Sequence, residues 1–154
     1  MPGDEQFLQQ AIDLALANVR DAGGRPFGAV VVKDGEVIAT GVNEIGATGD
    51  PTAHAELSAI RRAAQVLGSP RLDGCIVYAS GQPCPMCLSA MYLTGVSAVR
   101  FAYSNADGEP FGLSTASIYD EMAKPLEQQT LDVRHQPAGP AQESPYAVWK
   151  ARQS

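Results

Sequence analysis

Phe7, Leu8, Ala11, Ile12, Leu14, Ala15 and Val19 recur at helical spacing, and Gly23-Gly24 follows them. That pattern predicts an opening amphipathic helix with a glycine stop. Two apolar runs then flank Asp34-Gly35: Phe27 to Lys33 and Glu36 to Asn43. Two such runs around Asp-Gly predict a β-hairpin. Asp50-Pro51 reads as the start of a helix, with an acceptor side chain at the cap and proline at the first helical position. Leu57, Ile60 and Ala64 carry it to about Leu67, and Gly68 closes it. Further along, Cys75 to Ser80 predicts a strand, Pro85 to near Gly95 a helix, and Ala98 to Tyr103 another strand. A short helix over 117–123, a last strand over 130–133 and a helical tail over 142–152 complete the pattern. The tail carries Tyr146, Val148 and Trp149.

A hairpin followed by alternating helices and strands predicts a mixed sheet with helices on both faces. The helix between the last two strands favours a parallel crossover over another hairpin. The expected fold class is α/β, a three-layer α/β/α sandwich. No repeat, low-complexity tract or linker divides the chain. Its 154 residues fit one domain at roughly 150 residues each, so residues 1–154 are read as a single domain.

Composition narrows the function. Hydrophobic residues make up 45% of the chain, enough to form a core without disulfide staples. With 11 basic against 17 acidic residues the net charge is -6, which opposes a non-specific grip on nucleic acid. Residues 74–99 carry no charge, but Gln82, Pro83, Pro85 and several hydroxyls interrupt them. The stretch therefore reads as buried core, and no membrane association is expected. Met1-Pro2-Gly3-Asp4-Glu5 lacks the layout of a secretory signal, and three cysteines is an odd number. Both point to a reducing, cytoplasmic setting, with metal or thiol chemistry in preference to structural disulfides.

His54, Cys84 and Cys87 are residue types suited to zinc, and each falls in the first turn of a predicted helix, where partial positive charge favours thiolates. Three protein ligands leave the fourth position of a catalytic zinc open for water. Glu56, two residues beyond His54, can lean toward the same open helix end. A glutamate beside the metal but not bound to it is what activation of that water requires. His-x-Glu followed by Pro-Cys-x-x-Cys is the signature of zinc deaminases that act on nucleobases. A structural zinc or a redox pair is the alternative for the cysteines. A closed structural site would need a fourth ligand, and the spare Cys75 opens a strand that reads as core.

Thr52-Ala-His-Ala-Glu56 and Pro83-Cys-Pro-Met-Cys87 resemble the cytidine/deoxycytidylate deaminase superfamily, most closely its bacterial guanine deaminase branch. Pro26-Phe-Gly-Ala29, Val32-Lys-Asp-Gly35, Asp50-Pro-Thr52 and Ile118-Tyr119 extend the resemblance over most of the chain. It implies a five-stranded sheet between helices, the cytidine deaminase-like fold. It also implies that His54, Cys84 and Cys87 hold zinc and that Glu56 shuttles protons. Asn43 would hydrogen-bond the base, the Ala55 amide would meet a ring oxygen, and Phe27 would line the pocket. The substrate implied is a small nucleobase, with guanine converted to xanthine as the leading case. The partner implied is a second copy of the chain, a homodimer that exchanges a C-terminal segment of about residues 140–154.

The sequence also departs from that branch. Ser114 and Thr115 stand where acidic residues read the purine, and Leu93 stands where an aromatic is expected. Gly81-Gln82 replaces Cys-Glu, and a terminal tyrosine is missing. These departures keep guanosine, cytosine, adenine, an aminated triazine or a pterin open as substrates of the same chemistry. A tRNA adenosine deaminase shares both motifs but would want a positive surface. A zinc-stabilised interaction module without catalysis would leave Glu56 no role.

Overall fold

The computed structural model describes residues 3–138 and 143–153. The chain divides into two compact units, Met1–Asp120 and Glu121–Ser154. The first holds α1 (Asp4–Ala22), β1 (Gly28–Lys33), β2 (Glu36–Val42), α2 (Ile45–Thr48), α3 (Ala55–Leu67), β3 (Cys75–Gly81), α4 (Pro85–Thr94), β4 (Ala98–Tyr103) and α5 (Asn105–Gly108). Helix α6 (Ala116–Met122) runs across the boundary, and α7 (Pro145–Arg152) lies in the second unit.

The sheet order is β2-β1-β3-β4. Strand β1 pairs antiparallel with both β2 and β3, whereas β3 and β4 are parallel and joined by α4. The hairpin turns on Asp34 and Gly35, both at positive φ (52° and 78°), as a two-residue turn between twisted strands requires. Strand β1 is apolar at nearly every position because both of its faces are covered. Val30 and Val32 join Tyr78 against Phe7 and Ala11 of α1. Ala29 and Val31 join Val77 and Cys75 against Ala55, Ala59, Ile60 and Ala63 of α3 and Cys87 and Met91 of α4. The expected three layers are therefore present, and α1 lies on the face opposite α3 and α4. No helix among the described residues is long and apolar enough to cross a membrane.

The structure corrects two expectations. The described residues form a sheet of four strands, not five, and the predicted strand over 130–133 does not form. The Thr130 N–H donates to the Glu121 carboxylate, and Asp132 is held by Arg134 at 2.7 Å. Leu131 is 72% exposed, so neither a ladder nor a buried face supports a strand there. The crossover into that strand is absent as well, and the parallel crossover runs through β3, α4 and β4. The second correction concerns α3, which starts at Ala55, with His54 as its cap residue, and not at Asp50. Asp50 Oδ1 accepts from the Thr52 N–H (2.8 Å) and the Thr52 hydroxyl (2.7 Å), forming a local turn ahead of the helix. The predicted tail helix over 142–152 is present as Pro145–Arg152, and position 142 lies outside the described residues.

Candidate active site

Two helix starts meet beside the sheet. The first is set by Gly41 of β2. A Cβ there would stand 2.3 Å from the Ala55 carbonyl oxygen and 2.7 Å from the Ala59 nitrogen, so only glycine lets α3 lie this close to the strand. His54 is extended at the cap position (φ -72°, ψ 154°), and its carbonyl accepts from the Ser58 N–H at 3.0 Å. Cys84 caps α4 in the same conformation (φ -69°, ψ 167°), Pro85 occupies the first helical position and Cys87 falls in the first turn. The Tyr119 hydroxyl of α6 donates to the Pro83 carbonyl, which fixes the segment leading into Cys84.

The His54 Nδ1 lies 3.4 Å from Cys84 Sγ and 3.5 Å from Cys87 Sγ, and all three donor atoms fall within 4.8 Å of one another. Tetrahedral zinc bonds of about 2.3 Å to sulfur and about 2.0 Å to nitrogen put such donors roughly 3.6 Å apart. One imidazole and two thiols at these distances fit zinc and leave a fourth position free. Among the described residues no other cluster of metal-binding side chains occurs.

His54 and Cys84 border an open cavity of about 160 Å³ that Arg25, Phe27, Asn43, Glu56, Gln82, Leu113, Ser114 and Thr115 also line. Glu56 is 6% exposed, and burial lifts its carboxyl to about 7, within reach of neutral pH. The hydrogen bond from Cys87 holds the Cys84 thiol down at about 4, and the same bond pushes Cys87 up. Contact with Cys84 raises His54, against the opposing effects of burial and the Arg25 charge.

Of the residues singled out from sequence, His54, Cys84, Glu56, Asn43 and Phe27 share the cavity, and Cys87 lies buried behind its metal-binding edge. Ala55 is fully buried as the first residue of α3 and is not among the cavity-lining residues. Ser114, Thr115 and Gln82 line the cavity, so two of the departures noted above do reach it. Leu93 does not: it lies on α4 with 79% exposure. Arg25 went unnoticed in the sequence, where its one signal is its place immediately before Pro26-Phe27.

Residues 1–103 match the model of the cytidine and deoxycytidylate deaminase zinc-binding region. The chain is 44% identical to guanine deaminase of Bacillus subtilis over 146 residues, covering 95% of this chain and 93% of the relative. It is 39% identical to tRNA-specific adenosine deaminase of Aquifex aeolicus over 100 residues, 65% of this chain and 66% of that one. The X-ray structure of Bacillus subtilis guanine deaminase superposes with a TM-score of 0.89 at 43% identity, covering 97% of this chain and 95% of that chain.

Proposed function

Because the chain belongs to the cytidine and deoxycytidylate deaminase family, we propose that it hydrolyses the amino group from a free nucleobase, with guanine giving xanthine and ammonia as the leading case. One observation carries the reading: a buried glutamate, poised near neutrality, shares a base-sized cavity with a histidine and two cysteines at zinc-binding distances. Guanine is favoured because the similarity to guanine deaminase spans nearly the whole chain, whereas that to tRNA-specific adenosine deaminase covers about two thirds of it. A net charge of -6 also argues against a polyanionic substrate.

Zinc held by His54, Cys84 and Cys87 supplies the Lewis acidity that makes water a nucleophile near neutral pH. Glu56 takes a proton from the attacking water and delivers it to a ring nitrogen of the base. It then takes the remaining proton of the hydroxyl now bound to carbon and passes it to the departing amine, and the C–N bond breaks to release ammonia. A carboxyl poised near 7 suits both transfers. Asn43 Oδ1 already accepts from the Ile45 N–H at 3.2 Å, which leaves its amide nitrogen to donate to the base. Phe27, which lines the cavity, packs on the face of the base.

The test is ammonia release by the zinc-loaded protein from guanine, guanosine, cytosine, adenine, ammeline and an aminopterin. Guanine is expected to lead, and Glu56→Ala is expected to retain zinc while losing at least about a hundredfold in kcat. Retention of more than a tenth of the activity would remove Glu56 from this role. Ser114 and Thr115, which offer hydroxyls where an acid was expected, favour a second reading: the same chemistry on another base. Silence on guanine with turnover of another base would establish it.

The protein is further read as a cytoplasmic homodimer that exchanges its segment of about residues 140–154. Tyr92 and Leu93 in the first unit are each more than 60% exposed, and so, in the second, are Tyr146 and Trp149; each pair is apolar surface that a second copy would cover. Light scattering at micromolar concentration should give twice the 16.2 kDa chain mass. A monomer under those conditions would reject the dimer and the exchange together.

A further inference from the structure

Arg25 lines the same cavity as Glu56 and the metal-binding residues, yet the chemistry above gives it no task. The ion pairs formed among the described residues use Arg62, Arg71, Arg100, Lys124 and Arg134, and Arg25 enters none of them. Its backbone is nevertheless fixed. The buried Asn18 of α1 donates through Nδ2 to the Arg25 carbonyl at 2.8 Å and to the Asn43 carbonyl at 3.0 Å, tying two cavity residues to one amide. The Phe27 N–H donates to the same Arg25 carbonyl at 2.9 Å. At Gly24 a Cβ would come within 2.5 Å of Asn18 Nδ2, so the approach of this segment to Asn18 needs a glycine. An exposed guanidinium therefore leaves from an anchored backbone at the mouth of a cavity whose buried end holds Glu56.

A purine whose C2 amino group meets Glu56 turns its C6 substituent and N7 away from the metal, toward the mouth. In guanine that edge presents two acceptors, O6 and N7, the pair that an arginine fork matches with two donors. In a 6-aminopurine the same edge offers N7 and a donating amino group, and arginine has no acceptor to meet it. We propose that Arg25 reads the O6/N7 edge of the bound base and so makes this cavity selective for 6-oxopurines over 6-aminopurines; the inference rests on the guanine reading above.

Guanine and 2,6-diaminopurine test it, because both carry the 2-amino group and differ at C6 and in the N1 proton that accompanies the 6-oxo group. In the zinc-loaded Glu56→Gln protein, adding Arg25→Ala is expected to weaken guanine binding about tenfold or more. Binding of 2,6-diaminopurine should stay within about twofold. With Glu56 intact, Arg25→Ala should raise KM for guanine while kcat changes little, and Arg25→Lys, which keeps the charge but not the fork, should recover only part of the loss. Melting temperature and zinc content should match the unsubstituted protein, since Arg25 is exposed.

Equal weakening for the two bases, or for neither, would overturn the proposal. Ammonia release from guanine by the unsubstituted protein would then leave the guanine reading standing. If the protein with Arg25 intact neither binds nor turns over either purine, both readings fall, and the silence on guanine identifies which failed first.

Discussion

Burial can hold a carboxyl near neutrality, and Glu56, in the first turn of α3, is buried. Its folded value of about 7 lies above the ordinary 4.5, so the fold favours the neutral form. In the metal-free protein the stability this contributes is fully present below pH 4.5 and is lost as pH rises through 7. Melting of metal-free wild type against metal-free Glu56→Gln should show the wild type losing relative stability from pH 5 to 8, on the order of 3 kcal/mol. A flat difference would mean that Glu56 is already ionised at pH 5. His54, Glu56, Cys84 and Cys87 were legible in the sequence because each pair lies within one helical turn, where spacing alone fixes who can meet whom. Arg25 was not, since its place at the cavity comes from the Asn18 amide and the packing of α1 on the sheet, neither of which leaves a local pattern.

At the level of elements, the position of His54 and Glu56 depends on how closely α3 lies against β2. Gly41→Ala forces a methyl against the Ala55 carbonyl and Ala59 nitrogen, both backbone atoms that cannot rotate away. It should cost about 1–3 kcal/mol by thermal or denaturant melting and should lower kcat, because α3 must shift with the residues it carries. Unchanged kcat with lowered stability would show that the sheet yields instead of the helix. The hairpin, the strand over 98–103 and the helix opening at Pro85 followed directly from turn chemistry and apolar runs. The fifth strand failed because Thr130-Leu131-Asp132-Val133 has strand-forming residues whose polar groups bond locally, Thr130 to Glu121 and Asp132 to Arg134, which the strand propensity of a four-residue window does not report. The start of α3 was read four residues early because Asp50-Pro51 carries cap chemistry that the structure uses on a tight turn with Thr52 instead.

Across the whole molecule, the donors for the metal come from segments that are distant in sequence. His54 and Cys84 are thirty residues apart, and they meet only when β1 has paired with β2 on one side and β3 on the other. The hairpin around Asp34-Gly35 is local and closes in about 1–10 μs, whereas the pairing of β1 with β3 must first close a long loop. Time therefore orders assembly and metal capture. Completion of the three-ligand set on the native side of the folding barrier predicts that zinc leaves the refolding rate within about twofold and slows unfolding by about tenfold or more. Stopped-flow refolding and unfolding with and without zinc separates the two rates. A marked acceleration of refolding by zinc would instead place the joining of β1 and β3 before the barrier, with the metal helping to form it.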